Sequence, residues 1–594
     1  MSEITKKEFR LKRGQHILEY MKRFSSTEKV IFGIFLVLAV ITSITMAIRA
    51  SDNFMISIPA HGGELREGIV GLPRTINPVL SVTDVDKDVS SLIYSGLMKY
   101  ENGKLVPDIA ESYSISEDGL TYDFKLRPKI SFQDGTPLTT DDIEFTINKI
   151  LDPNMKSPRR ADWVNITINK ISPTEIQFIL KQEYAPFLTN TTVGIIPKHI
   201  WGSVSNEQFI FSQYNIEPIG TGPYKISSIS RNSGGIPTEY LLKTWNSYAG
   251  EEPYISAIRV IFYSDLDKAL EALDTNRIDS IGAIPPASAK KLASDQAQAY
   301  KIVSSSLPRV FGLFFNQNQS PILADKIVRQ ALEMSIDRDA IVEQVLNGYG
   351  DSIEGPLPKG ILGNTNSKAK SESSEAQIAE KNKIQAENIL KAQTLLVKND
   401  WKKDSNGIFN KKIAKTASTT LAFDIYTADS PDLRLTAELL KETWQKVGVK
   451  VNIKVFESGD LYQNIIRTRK YDALLFGEQI GKDRDLYAFW HSSQRNAPGL
   501  NVSMYTNSKV DKVLSDIRST TDEKKKISNY TLLEQLIKED IPAIFLYSPN
   551  FIYAIPKNLN GIKMDTITTS SDRFNSINTW YLNTEKVWNF FSNK

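Results

Sequence analysis

Apolar and polar residues alternate along several stretches of this chain. Leu120, Tyr122, Phe124 and Leu126 are separated by polar positions, the two-residue period of a half-buried strand. Gln133-Asp134-Gly135 supplies a turn, and Thr140 with Asp141 and Asp142 opens a helix predicted to run to about Leu151. The fullest pattern lies between Leu421 and Phe476. Leu421, Phe423 and Ile425 alternate as a strand, and Asp429-Ser430-Pro431 carries helix-start chemistry. Leu433, Ala437, Leu440, Trp444 and Val447 then follow at helical spacing, forming one continuous apolar face. Gly448 stops the helix, Val449, Val451, Ile453 and Val455 alternate as the next strand, and Ala473–Phe476 is a further apolar run. Strand, helix, strand and strand make a crossover unit of an α/β domain. By contrast, 364–383 is polar and charged, and is expected to be a mobile surface insertion leading into a helix near Ile384–Val397.

The N-terminus follows a different pattern. Val30–Ile48 reads VIFGIFLVLAVITSITMAI with no charge before Arg49. As a helix it would measure about 28 Å, close to the hydrocarbon thickness of a bilayer. Lys6, Lys7, Arg10, Lys12, Arg13, Lys22, Arg23 and Lys29 precede it. The positive-inside rule therefore keeps the leader (1–29) cytoplasmic, makes 30–49 a single-pass signal anchor in the plasma (inner) membrane, and displays the rest outside. Bulky Ile48 in Ile48-Arg49-Ala50 makes a poor cleavage site, which favours an uncleaved anchor. Residues 50–61 are expected to be a short extended tether that lets the exported part reorient.

Composition narrows the chemistry. The chain is 41% hydrophobic and 24% charged, as ordinary globular proteins are, and its net charge of +3 argues against nucleic acid as a partner. It has no cysteine, which removes disulfides, thiol catalysis, thiolate metal sites and a lipid anchor through a modified cysteine. The four histidines, His16, His61, His199 and His491, form no HExxH or i, i+4 pair. There is no GxSxG and no P-loop. Gly220-Thr221-Gly222-Pro223 lacks the lysine of a phosphate loop, and Pro223 removes an N–H donor, so a tight turn is expected there. The acidic pairs Asp141-Asp142 and Glu251-Glu252 are expected to be helix-start and surface charges. No catalytic set, no cofactor and no metal centre is expected.

Several segments in order carry a more specific message. LREGIVGLPRTINPVL from Leu65 is followed by the block from IYSGLMKYENGKLVPDIAESYSISEDGLTYDF to KLRPKISFQDGTPLTTDDIEFTI. Further on come GIIPKHIW (194–201), PIGTGPYKI (218–226), NSYAGEEPYISAIRV (246–260), and LFFNQN with IVRQALEMSIDRDAIVEQVLNGYG (313–350). Together they resemble the extracellular solute-binding proteins, family 5, that serve peptide and nickel ABC transporters, over nearly all of 62–560.

The resemblance implies an α/β, two-lobed periplasmic-binding-protein-like fold with an extra subdomain in lobe I, preceded by the transmembrane helix. Lobe I would comprise 62–308 and 547–594, its subdomain 98–222, and lobe II 309–546. Hinge crossings would fall near Leu307–Val310 and Phe545–Ser548, with ligand captured between the lobes by closure. The implied ligand is an oligopeptide, the implied partners are ABC permease subunits, and the implied state is monomeric. Peptide-binding members hold the ligand's amino terminus with an Asp after a Gly-Trp strand end. Here the matching text is Gly477-Glu478-Gln479-Ile480-Gly481-Lys482-Asp483. Lys482 stands at the Asp position, and Glu478 or Gln479 where Trp is usual. Asp483 either substitutes one residue along or is a loop acid paired with Lys482 or Arg484. A cleft-facing Lys482 would disfavour a free amine. Asn77, Tyr94, Arg309, Phe311, Asn316, Trp490, Tyr505 and Tyr547 lie in segments resembling cleft or hinge segments, and core packing competes with ligand contact for the aromatics. Arg329 is expected to be a structural ion-pair residue. The rivals are a nickel or metal-chelate receptor of the same family, a sensing module, and an anchored surface peptidase.

Overall fold

The computed structural model describes residues 25–101, 103–358, 375–412, 418–481, 484–520, 522–564 and 567–588. The chain divides into two compact units, Met1–Ala60 with Leu582–Lys594, and His61–Tyr581.

The first unit holds the helix Ser26–Phe54, of which Ser26–Met46 is long and apolar enough to cross a membrane. Ser25 caps it: its Oγ accepts from Glu28 N–H at 3.3 Å, while its own N–H donates to the Glu28 carboxylate at 2.8 Å. This reciprocal box satisfies two of the orphan donors at a helix start. The stretch 50–61, expected to be a short tether, has regular backbone structure to Ala60. The helix continues to Phe54, and Met55–Ala60 forms a strand paired antiparallel with Asn583–Trp588, from Met55 opposite Trp588 to Ala60 opposite Asn583. The physical reason lies at the far end of the chain, which supplies the backbone partners that a lone extended segment lacks.

The second unit is built on a 12-stranded sheet. In chain order its strands are β1 (Glu64–Val70), β2 (Tyr224–Arg231), β3 (Pro237–Thr244), β4 (Ala257–Tyr263), β5 (Ser280–Gly282), β6 (Tyr300–Ser306), β7 (Arg309–Phe315), β8 (Gly350–Ser352), β9 (Ala422–Ala428), β10 (Lys450–Phe456), β11 (Ala473–Gln479) and β12 (Ala543–Pro556). The spatial order is β10-β9-β11-β7-β12-β5-β1-β4-β3-β2, with β6 and β8 also on β12. β9 runs parallel to both β10 and β11, and the helix Pro431–Val447 makes the β9–β10 crossover. Gly448 ends that helix at φ +110°, a left-handed position that a side chain would strain.

β12 is the strand that makes the architecture two-lobed. Ala543–Tyr547 pairs with β7, whereas Asn550–Pro556 pairs with β6. Leu307 N–H donates to Pro549 O at 3.0 Å, Ser548 Oγ donates to Leu307 O at 2.7 Å, and Ile480 N–H donates to Pro308 O at 2.8 Å. The two halves of β12 also serve different cores. Ile544–Tyr547 join a large cluster with Val310, Phe314, Trp444 and Leu475. Ile552 and Ala554 join Ala272, Ile281 and Leu292.

A separate four-stranded antiparallel sheet contains the predicted strand, observed as Thr121–Leu126 between Ala110–Ile115 and Glu175–Leu180, with Ile166–Ser172 at the edge. The helix predicted after it spans Thr140–Leu151 with Thr139 as its cap. Asp142 closes the capping box and accepts Lys198 N–H at 2.9 Å, while Asp141 pairs with Lys170 and Lys198. That acidic pair is structural. So is Arg329, though not through an ion pair. Its guanidinium donates to the carbonyls of Leu323, Ala324, Asp540 and Ile541 at 2.8–2.9 Å. The expected helix near Ile384–Val397 is longer, Glu375–Lys398, and 364–374 of the expected insertion lie outside the described residues.

A buried charge cluster ties β1 to the C-terminal part of this unit. Arg573 reaches Asp88 Oδ2 at 2.8 Å and Glu67 Oε1 at 3.0 Å, and all three side chains are almost fully buried. Ser280, Tyr553 and Ser570 donate to the same two carboxylates.

Candidate functional site

The register of β7, β11 and β12 brings together Arg309, Phe311, Glu478, Gln479 and Tyr547. Arg309 lies opposite Gln479, Val310 opposite Glu478, and Phe311 opposite Gly477 on one side and Tyr547 on the other. Phe311 and Tyr547 stack, with ring centroids 5.1 Å apart and planes at 19°. Gly477 leaves room for the Phe311 ring, because a Cβ there would stand 2.8 Å from it. The Tyr547 hydroxyl meets Thr436 Oγ1 at 3.2 Å, which fixes one end of the stack. Arg309 and Gln479 are exposed at the strand end, and Gln479 Nε2 donates to Thr568 O at 3.5 Å. That bond brings the end of β11 to the segment that follows β12.

Glu478 differs from its neighbours. Strand alternation turns it to the opposite face from Arg309 and Gln479. It is 4% exposed, and neither carboxylate oxygen has a hydrogen-bond partner. Burial alone pushes its acid well above the usual carboxylate range. Thr568 Oγ1 is also buried without a partner.

A second polar group sits at the end of the helix Asp84–Ile93. The Gly220-Thr221-Gly222-Pro223 turn lies against that end, with Gly222 N–H donating to Ile93 O at 2.7 Å. A Cβ at Gly220 would fall 2.2 Å from the same carbonyl, so close backbone approach is what the glycine permits. The Tyr94 hydroxyl and Thr221 Oγ1 are buried and unpartnered. Asn77 bonds Asn215 Oδ1 at 3.2 Å and accepts Val79 N–H at 3.0 Å, holding a turn.

Other candidates are committed to internal contacts. Asn316 donates to Arg469 O at 2.9 Å and accepts Gln319 N–H at 3.2 Å. Trp490 packs on Phe314, Tyr505 and Phe545, and the Tyr505 hydroxyl donates to Asp540 at 2.6 Å. Lys482 and Asp483 lie outside the described residues. Just beyond them Asp485 is paired with Arg518 at 2.5 Å, and the Arg518 guanidinium covers the Tyr487 ring at 3.9 Å. A cavity of about 810 Å³ opens elsewhere, between Asp337, Glu354, Gln385 and Glu534, and none of the expected ligand residues lines it. The strand-end geometry, with groups from both sides of the β12 crossing, is the better candidate for ligand.

Thr568 and Thr221 were not singled out from sequence. Thr221 sits inside a recognised turn, and an isolated threonine such as Thr568 carries no periodic or motif signal. His61, His199 and His491 contact Pro253 O, Asp134 and Ser493 respectively, and among the described residues no acidic or histidine cluster is arranged to hold a metal.

Two cores sharing one strand, with unpartnered polar groups near the crossing, define a two-lobed binding protein. The signature of bacterial extracellular solute-binding proteins, family 5, matches residues 104–498, and the chain belongs to that family. It is 30% identical over 583 residues to the oligopeptide-binding protein AppA of Bacillus subtilis (strain 168), covering 95% of this chain and 100% of that one. Among solved structures, AppA from Bacillus subtilis in complex with a nonapeptide superposes with a TM-score of 0.61 at 27% identity, covering 89% of this chain and 100% of that one. NikZ from Campylobacter jejuni in complex with Ni(L-His) gives 0.63 at 26% identity, covering 87% and 99%. These relatives are solute-binding proteins, not enzymes.

Proposed function

We propose that this chain is the membrane-tethered substrate-binding subunit of an ABC importer, with oligopeptides as cargo and no catalytic activity of its own. The observation that carries the reading is the 30% identity to an oligopeptide-binding protein along that protein's whole length. It is supported by the Phe311–Tyr547 stack and the orphaned polar groups beside the crossing strand. Lobe I would comprise 62–308 and 547–594 with its subdomain at 98–222, lobe II would be 309–546, and the hinge would lie where β12 changes partners. An extended peptide offers backbone groups at regular intervals, and a strand end can meet them. The apolar helix acts as an uncleaved anchor, with the N-terminus cytoplasmic and the receptor outside. Tethering raises the local concentration of receptor at its permease. The receptor acts as a monomer.

Native mass spectrometry of the gently purified chain, challenged with a mixed peptide pool, tests this reading. Retention of a heterogeneous peptide set is expected. A protein that ignores peptides but takes up a nickel–histidine chelate would replace the cargo and keep the receptor role. Turnover of the pool would point to a peptidase and end the receptor reading.

A further inference from the structure

The helix Ser508–Ser519 belongs to the core of the second lobe, where Val510, Val513, Leu514 and Ile517 are buried with Leu475 and Ile544. A helix leaves its last four carbonyls without intrahelical donors. Here Thr520 N–H serves Asp516 O at 3.2 Å, but the donor to Arg518 O comes from a distant part of the fold: it is Ala185 N–H, at 3.3 Å. Ala185 lies just after the strand Glu175–Leu180, in the subdomain built on the four-stranded sheet. Neither partner belongs to the 12-stranded sheet, so this bond joins the subdomain to the second lobe without using the β12 crossing. Both sides of it are held firmly. Phe187 N–H donates to Tyr184 O at 3.0 Å, which closes the turn. The buried Phe187 ring packs on Tyr122, Trp163 and Phe178, at centroid distances of 4.7, 5.8 and 5.6 Å. Pro186 biases Ala185 towards extended backbone. Across the contact, the Arg518 guanidinium donates to Asp485 through Nε at 2.8 Å and covers the Tyr487 ring at 3.9 Å. Asp485 and Tyr487 follow β11, so the helix end is tied to the segment beside the candidate site. A rigid turn that meets a rigid helix end gives up little entropy on contact.

We propose that the Tyr184–Ala185 turn is a clasp, which shuts the subdomain onto the C-terminal end of the helix Ser508–Ser519 and slows the release of bound ligand. The inference rests on the two-lobed receptor reading and gives the subdomain a task within it. Ligand held between the lobes leaves only when they part. A bond made only in the shut form therefore retards departure, while the encounter of ligand with the open form is untouched. Arg518 acts as a positioning residue: its side chain fixes the helix end to the segment after β11, and its carbonyl accepts the clasp.

The test uses the full-length chain in detergent, loaded with a radiolabelled peptide pool and chased with an excess of the unlabelled pool. Ala185→Pro deletes the donor N–H and should speed release by about 3-fold to 10-fold, the worth of one hydrogen bond, with an unchanged association rate. The opposite perturbation locks the contact. The chain has no cysteine, so Ala185→Cys with Ser519→Cys, an exposed neighbour of Arg518, places a single pair for a short bifunctional maleimide. The pair should cross-link within one chain, and the cross-linked receptor should release peptide at least about 10-fold more slowly than the same variant before cross-linking. Release at the wild-type rate from an Ala185→Pro chain that melts normally would overturn the proposal, as would cross-linking without slower release. If Ala185→Pro melts low, the cross-linked pair decides alone. A pair that fails to cross-link would overturn the clasp whatever the cargo. Wild type that retains no peptide would instead end the peptide reading, and the cross-link yield would still decide whether the clasp forms.

Discussion

Replacing Arg573 with methionine removes the cation that bridges Glu67 and Asp88 while keeping most of the side chain's length. The guanidinium spans the two carboxylates at 2.8 and 3.0 Å and also donates to Ser570 O at 2.7 Å. Removing one partner of a buried ion pair costs about 3–5 kcal/mol, because the charge left behind stays desolvated. Here one cation serves two acids, so the upper end of that range is expected at neutral pH. Burial already pushes Asp88 up to about 6, with the attraction of Arg573 pulling the other way. A folded-state value above the unfolded one means that the folded chain binds more protons between about pH 4 and 6, so this group's contribution falls as pH rises through that window. In Arg573→Met the value climbs further, and the fall extends towards neutral pH. Urea unfolding followed by tryptophan fluorescence should therefore show a deficit at pH 7.5 that shrinks at pH 5. The triple variant Glu67→Gln, Asp88→Asn, Arg573→Met should recover much of it. A deficit below about 1 kcal/mol, or one of equal size at both pH values, would refute the electrostatic account.

Gly220→Ala would force a Cβ against Ile93 O and should cost about 1–3 kcal/mol or more, read as a lower melting temperature; an unchanged melt would mean that the turn relaxes freely. Phe311→Ala removes the half-buried ring of the stack and should weaken peptide binding by about 5–10-fold with a small effect on melting, measured by calorimetry. Because the chain has no cysteine, Ile210→Cys with Ile527→Cys gives an unambiguous dye pair at exposed positions. Energy transfer between the dyes should change on adding peptide if closure accompanies binding, and a constant signal would argue for a preformed closed state.

Periodicity made the α/β unit legible. The face of Leu433, Ala437, Leu440, Trp444 and Val447 is buried as its spacing requires, and Gly448 sits where the helix stops. The long strand β12 was not legible as one element, because Pro549 in its middle reads as a break. Its proline lies where the strand changes partners, and its carbonyl accepts Leu307 N–H. Arg329 looked like an ion-pair residue because sequence shows charges and not the ends of helices, whose free carbonyls it collects. For the site, resemblance drew attention to Glu478 as a departure from the usual tryptophan. Its lack of any partner is a three-dimensional property, and so is the approach of Thr568.

The ribbon of Met55–Ala60 with Asn583–Trp588 joins two segments that the whole His61–Tyr581 unit separates in sequence. Closing such a loop from a disordered chain would cost about 5–6 kcal/mol in entropy. The folded His61–Tyr581 unit removes most of that cost in advance. The His61 ring lies 4.7 Å from the Tyr254 ring and Tyr581 lies 6.3 Å from it, so the two ends of that unit already flank one side chain. The ribbon is thus a long-range closure that a folded body makes cheap.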